Sequence, residues 1–384
     1  MKILIVTNHC LDTLSGGNIA SIAFINSLTE FSKECHLIYP KKGPTLNLLN
    51  SKIFKTGIVN NRNIFQKIID IYLGRINTFT NILVPKVIEF NPDLIIFDNS
   101  RSSFGYINQL KSFKKNIITI HHNFEREFYK SSYDNLFIKY PLLFYIKKAE
   151  KLAVLGSDLN ITLTFQDIIL LQNHYDYNKK ALFNCIGIFN PIKSNFNTLK
   201  CSKINQSLTF LITGNLGVNQ TEISLIPFLL NEFKIILSYF PSCKLIIAGR
   251  NPSKRLIFLC SKYSNINLIS NPKNISDIAN SADIYICPVN SGGGIKLRIL
   301  DGLQFGLPIL THTISGRGYE IFQENGYIHT YSNLVEFKNS LFKIFNLKQS
   351  NINHRLEIFS LYNKTFSFES GSNRLISLIS KHFS

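Results

Sequence analysis

The stretch Ser291–Leu310 reads SGGGIKLRILDGLQFGLPIL: three glycines, then Lys296, Arg298 and Asp301, closing on Gly306-Leu307-Pro308. The apolar run Asp283–Cys287 ahead of it reads as a buried β-strand and Pro288–Gly294 as a loop. Ile295–Phe305 reads as a helix, with Ile295, Ile299 and Leu303 at i, i+4 and i+8, and Gly-Leu-Pro ends it before the next strand. A strand, a glycine loop and a helix in that order describe one turn of an α/β sheet. The glycines let backbone N–H groups approach a ligand, and a helix N-terminus carries partial positive charge. Lys296 and Arg298 near that end are disfavoured by the dipole unless an anion lies between them, so the spacing points to a phosphate or diphosphate. Asp301, set among apolar neighbours, needs partners if it is buried. It suits an ion pair with Arg298 at i, i+3, and equally a carboxylate gripping two adjacent ligand hydroxyls as on a ribose.

The same alternation runs outward in both directions. Leu208–Thr213, Lys244–Ala248, Ile266–Ile269 and Pro308–His312 read as further strands of the second half. Ile3–Val6, His36–Tyr39, Leu94–Phe97, Ile117–Ile120 and Leu159–Leu163 do so in the first, with amphipathic segments such as Ile19–Leu28 between them. Strand and helix in alternation predict parallel, doubly wound sheets. The polar stretch 191–206 breaks the rhythm. The expected architecture is therefore α/β: a Rossmann-like domain over 1–190, a linker over 191–206, a second Rossmann-like domain over 207–365 and an amphipathic C-terminal helix over 366–384. Ligands are expected in a central cleft faced by the C-terminal ends of both sheets.

Composition narrows the class. The 384 residues are 45% hydrophobic and 17% charged, enough for a large core. Seven isolated cysteines, without a C-x-x-C pair or a Cys/His cluster at zinc spacing, read as reduced thiols, favouring the cytoplasm and no metal. The apolar run at the N-terminus is too short for a signal peptide, and no run reaches the roughly 18 to 20 apolar residues of a membrane span. The net charge is +18. It is densest in His36–Ile88, where Lys41, Lys42, Lys52, Lys55, Arg62, Lys67, Arg75 and Lys86 face only Asp70 and interleave with Ile53, Phe54, Ile64, Phe65, Ile68 and Ile69. Such a surface suits an anionic membrane, on the inner face for a cytoplasmic protein, and it suits a plain solvated face equally well. No nucleic-acid module accompanies the charge, so nucleic acid is not an expected partner.

The segment Ser291–Leu310 with Ser315-Gly316-Arg317-Gly318-Tyr319 resembles the donor-nucleotide region of the group 1 glycosyltransferases of GT-B fold. LTFLITGNLGVNQTE, holding Gly214 and Asn219, and LIIAGRNPS, holding Arg250, are similar to two further segments of that family, in the same order. The resemblance implies that Lys296 and Arg298 face the donor diphosphate beside Gly294, and that Asp301 stands where the family's second glutamate binds ribose. It also shows two departures: Gly293 occupies the place of the first glutamate of the family's E-x7-E motif, and Gly214-Asn215-Leu216 lacks an arginine used against phosphate.

In the first half, Gly16-Gly17 in TNHCLDTLSGGNIAS opens the first helix, either as a tight turn or with its N–H groups turned to a phosphate or acceptor. IITIHHNFEREF places His121, His122, Asn123 and Glu125 at the C-terminal end of a strand. Neutral His122 could hydrogen-bond a sugar hydroxyl with Glu125 orienting it, or the histidines could simply cap the strand end. Metal binding is not expected, because no third ligand is evident. His122, Asn123 and Glu125 match the family's H-N-x-E segment. The resemblance as a whole implies a retaining, metal-independent glycosyltransferase, without a cofactor, that moves a sugar from a nucleotide-sugar to a glycan or lipid-linked acceptor in bacterial surface polysaccharide synthesis, lipopolysaccharide included. The rival expectations are a nucleotide-sugar 2-epimerase and a non-catalytic nucleotide- or glycan-binding partner of the same fold.

Overall fold

A computed structural model describes residues 1–12, 16–43, 49–59, 63, 65–66, 69, 82–132, 135–193, 207–350 and 353–383. The chain forms two compact units, Met1–Ser194 with Phe366–Ser384, and Asn195–Thr365. Most of the stretch 191–206 lies outside the described residues, as do Arg62, Ile64, Lys67, Ile68, Asp70 and Arg75.

The first unit is built on seven parallel strands: β1 (Lys2–Thr7), β2 (Glu34–Lys41), β3 (Phe54–Val59), β4 (Leu94–Asp98), β5 (Asn116–His121), β6 (Leu159–Thr162) and β7 (Phe183–Cys185). Their order across the sheet is β3-β2-β1-β4-β5-β6-β7, so the winding reverses beside β1, between β2 and β4. β1 and β4 are buried along nearly their whole length, which is why they read as continuous apolar runs. Leu4, Val6, Ile95 and Phe97 pack against Leu83 and Val87 of the helix Leu83–Phe90. The helix Gly16–Phe31, expected to be amphipathic, is buried nearly all round because the C-terminal helix Phe368–Phe383 lies on it, joined by Ser27 Oγ to Ser372 Oγ at 2.8 Å. The C-terminal helix is thus part of the first unit. The basic stretch His36–Ile88 is in part the edge strand β3, whose outer positions Phe54 and Val59 are exposed while Ile53 is buried, and Lys86 is paired with Glu89 at 3.0 Å.

The second unit has six parallel strands: β8 (Thr209–Asn215), β9 (Lys244–Arg250), β10 (Ile266–Ser270), β11 (Ile284–Cys287), β12 (Ile309–His312) and β13 (Ile328–Tyr331). Their order is β10-β9-β8-β11-β12-β13, with the reversal between β8 and β11. Phe210, Ile212, Leu245, Ile247, Ile284 and Ile286 form the sheet's share of one core. Ligands of open α/β sheets bind beyond the carboxyl ends of the strands at such a reversal, here the residues after Asn215 and Cys287. No helix among the described residues is long and apolar enough to cross a membrane.

Candidate active site

In the second unit the glycine loop does not sit on the N-terminus of its own helix. That helix is shorter than expected, Arg298–Leu303, and Lys296 lies in the loop before it. The cause is local: Gly292 and Gly294 take φ of +85° and +68°, and the Tyr319 hydroxyl donates to the Lys296 carbonyl at 2.9 Å, holding it out of a regular helical ladder. The longer helix Asn219–Leu230 supplies the N-terminus instead. A Cβ on Gly292 would lie 2.7 Å from the Gln220 side chain of its first turn, and Ser224 Oγ donates to Asn290 Oδ1 at 2.9 Å.

Arg298 and Lys296 face this arrangement, and no acid among the described residues is paired to either. Arg298 Nη2 donates to Thr221 Oγ1 at 2.9 Å, whereas Nη1 is buried with no partner among the described residues. Lys296 Nζ donates to the Gly293 carbonyl at 3.1 Å. Burial, with Arg298 and Arg317 nearby, brings Lys296 down to about 8. Asp301 makes no ion pair with Arg298; its Oδ2 accepts from Thr213 Oγ1 at 2.7 Å, and Thr213 in turn meets the Tyr285 hydroxyl at 2.7 Å. Burial raises Asp301 above the usual carboxylate range, although Thr213, Arg298 and Arg250 pull the other way. Gly214, at φ +131°, lets the Arg298 guanidinium lie against the end of β8. Asn219 is the first residue of the helix Asn219–Leu230, and Arg250 ends β9 with its side chain exposed.

In the first unit the ends of β1, β4 and β5 bring four side chains together. His122 Nε2 meets Asp98 Oδ1 at 2.5 Å, and Asp98 Oδ2 accepts from Thr7 Oγ1 at 2.7 Å. The His9 ring lies over the His122 ring, centroids 4.9 Å apart, with Nδ1 at 3.3 Å from Asn18 Oδ1. A Cβ on Gly17 would stand 2.7 Å from His9 Cε1, so only glycine at this position lets the ring rest on the helix start. Burial alone would lower His122, but the Asp98 carboxylate outweighs it and raises His122 above its ordinary value. Asp98 is held far below the usual carboxylate range by the same pairing, against its own burial. His9, buried and repelled by His122, falls to about 4. His122 Nδ1 and His9 Nε2 are buried without a partner among the described residues.

These contacts revise the expectations. The carboxylate that orients His122 is Asp98, and the charged ring is favoured over the neutral one. Glu125 turns elsewhere, accepting from Asn99 Nδ2 at 2.9 Å and pairing with Arg101 Nε at 3.2 Å. His121 is held by Asn160 Oδ1 at 2.9 Å and lowered to about 4 by burial. A third ligand, not evident in the sequence, is present: one ligand atom each of His9, Asp98 and His122 fall within 4.8 Å of one another. Asp98 and His9 were findable, since each follows an apolar run at the strand end where ligands bind.

Residues 207–346 match the family model described as "Glycosyl transferases group 1". That match covers most of the second unit. The whole chain has the GT-B fold. It is similar to sucrose-phosphate synthase from Thermosynechococcus elongatus, with 12% identity, 100% of this chain and 99% of that one covered, and a TM-score of 0.72. Anabaena HepE in complex with UDP matches with 12% identity over 99% of this chain and 100% of that one, at a TM-score of 0.72. The lipopolysaccharide outer core galactosyltransferase WaaB matches with 9% identity over 98% of this chain and 100% of that one, at 0.64. No curated protein sequence matches the chain. Within the second unit, Gly214, Asn219, Gly293, Gly294, Lys296, Arg298 and Asp301 all lie in β8, the glycine loop and the two helices that meet it; Gly16 and Gly17 belong to the first unit.

Proposed function

We propose that the protein is a glycosyltransferase that takes its sugar from a nucleotide diphosphate-sugar bound by the second unit. One observation carries the reading: two partly buried cations, Lys296 and Arg298, converge beside the start of the helix Asn219–Leu230, and among the described residues no acid is paired to either and Arg298 Nη1 is buried without a partner. A buried guanidinium nitrogen left unpaired is costly, and an anionic oxygen satisfies it. When the bond from the sugar carbon to the diphosphate oxygen breaks, the electron pair leaves with the diphosphate, and these cations with the helix N-terminus stabilise the charge that develops. Asp301, anchored through one oxygen by Thr213, is suited to accept from a ribose hydroxyl through the other. UDP is the nucleotide bound in the similar structures of HepE and of Staphylococcus aureus MnaA, which supports testing a uridine donor first.

To the first unit we assign His122 as the group that acts on a substrate hydroxyl or developing charge through Nδ1, with Asp98 holding the imidazolium and His9 kept neutral beside it. Glu125 and His121 are read as positioning residues of that end of the sheet. The direct Nε2 to Oδ1 contact of 2.5 Å favours a shared proton over a metal ion. Two ligand atoms on one tetrahedral metal, at bonds of about 2.0–2.1 Å, stand roughly 3.3 Å apart. We read the transfer as retaining and metal-independent, with a glycan or lipid-linked acceptor of a bacterial surface polysaccharide; this rests on the resemblance of 207–346 and on the cations that occupy the diphosphate side.

Thermal unfolding in the presence of UDP, GDP, ADP, CMP and their sugar conjugates tests the donor assignment, with Lys296→Ala as control. One nucleotide should raise the midpoint in proportion to the logarithm of its concentration, and Lys296→Ala should abolish the rise. A flat response to every nucleotide would refute the donor site, and binding without turnover would favour the non-catalytic alternative.

A further inference from the structure

The helix Leu136–Gly156 of the first unit divides cleanly into two faces. Leu142, Tyr145, Ile146, Ala149, Ala153 and Val154 are buried on one side. On the other, Phe137 is 83% exposed, Tyr140 66% and Phe144 72%, and Lys147, Lys148, Lys151 and Leu155 follow, all exposed. At 100° per residue these seven positions fall within a strip of about 100°, so they form one stripe along the helix. Its N-terminal half is aromatic and its C-terminal half is cationic. The only carboxylate in the helix, Glu150, is fully buried and accepts from Glu125 N and the Tyr175 hydroxyl, so no negative charge interrupts the stripe.

Three aromatic side chains standing in water at consecutive turns are a poor surface for a soluble protein. A second copy of the chain is a poor occupant, because every charge on the stripe is positive and none complements its equivalent, and the chain as a whole carries +18. Aromatic rings beside lysines match the headgroup boundary of a bilayer, where rings sink to the acyl edge and ammonium groups stay among anionic headgroups. We propose that the exposed face of Leu136–Gly156 docks the protein on a membrane surface rich in anionic lipid, with Phe137, Tyr140 and Phe144 inserted and Lys147, Lys148 and Lys151 against the headgroups. This surface is distinct from the basic stretch His36–Ile88, and the inference stands whether or not the donor assignment does.

The chain contains no tryptophan, so Phe144→Trp supplies a single fluorophore on this face. Its emission should shift to the blue with vesicles of equal parts phosphatidylcholine and phosphatidylglycerol, and much less with phosphatidylcholine alone. In a flotation assay on the full chain, Lys147→Gln/Lys148→Gln/Lys151→Gln should weaken binding to the mixed vesicles about 100-fold, since each surface lysine contributes on the order of a tenfold factor or somewhat less. Phe137→Ser/Tyr140→Ser/Phe144→Ser should abolish insertion, while Lys41→Gln/Lys42→Gln/Lys52→Gln should change binding only slightly. All these positions are exposed, so the melting temperature should hold. The proposal is overturned if the wild-type chain does not float with mixed vesicles, or if the aromatic and lysine variants float as it does. It is equally overturned if the wild type self-associates in solution and the aromatic variant becomes monomeric, which would make the face an interface between copies.

Discussion

Gly214→Ala tests the geometry of the donor site without replacing a charged residue. Gly214 sits at φ +131° near the end of β8, a region open in practice only to glycine, so a side chain there costs about 1–3 kcal/mol of stability. At about 2–4 °C per kcal/mol for units of this size, the melting temperature should fall by roughly 2–12 °C. The new Cβ would stand 3.1 Å from Arg298 Cζ and 3.2 Å from Nη1, so the guanidinium must move and its bond to Thr221 weakens. A hydrogen bond from a charged group contributes about 1.5–3 kcal/mol, so nucleotide affinity should drop roughly 10- to 100-fold. Calorimetric titration with the responding nucleotide measures this directly. In an Arg298→Ala background the same substitution should cost affinity almost nothing further, because its effect runs through the displaced guanidinium. Unchanged affinity in Gly214→Ala, or losses that simply add in the double variant, would refute the placement of Arg298 against the diphosphate.

Other predictions follow from the buried titratable groups. Lys296 titrates near 8 in the free protein, and a bound diphosphate holds it charged to higher pH. Affinity should therefore be flat below about pH 8 and weaken by up to about tenfold per unit above it, with Lys296→Arg flat throughout when followed by titration calorimetry. The raised His122 keeps its proton to higher pH than an ordinary imidazole, so activity that needs the imidazolium is present at low pH and lost as pH rises through its raised value. Asp98→Asn removes the support and should move that loss to lower pH, visible both in the rate profile and in the ring resonances of His122; an unmoved profile would contradict the pairing. Glu150 is raised to about 8 by burial and by the neighbouring Glu125. Its folded value lies above its unfolded one, so the stability it lends is complete at acid pH and lost as pH rises through about 8. Urea unfolding of Glu150→Gln should show a weaker decline with pH between about 5 and 8 than the wild type.

The central strands were legible because both their faces are covered and a buried strand reads as an uninterrupted apolar run. β3, β7 and β13 were not: each is an edge strand with partly exposed positions, β7 and β13 are only three and four residues long, and Phe54 to Val59 alternates too weakly to stand out from the basic stretch around it. The glycine loop, Lys296, Arg298 and Asp301 were legible in their residue types and order. What the sequence did not show was which helix N-terminus the loop faces, because the contact of Gly292 with Gln220 joins segments 72 residues apart. The partner of Asp301 was likewise hidden in Thr213, 88 positions away. Asp98 and His122 are 24 apart and meet only because β4 and β5 are neighbours. The exposed aromatic face of Leu136–Gly156 went unread because a helix with Phe, Tyr and Leu on every side resembles a buried one until its packing is known.

The most direct test of the donor assignment is a crystal structure of the full chain with the nucleotide that stabilises it. The account predicts diphosphate oxygens within hydrogen-bonding distance of Arg298 Nη1 and Lys296 Nζ, beside the first turn of the helix Asn219–Leu230, and a ribose hydroxyl on Asp301. A nucleotide bound elsewhere, with Arg298 Nη1 still unpartnered, would contradict it.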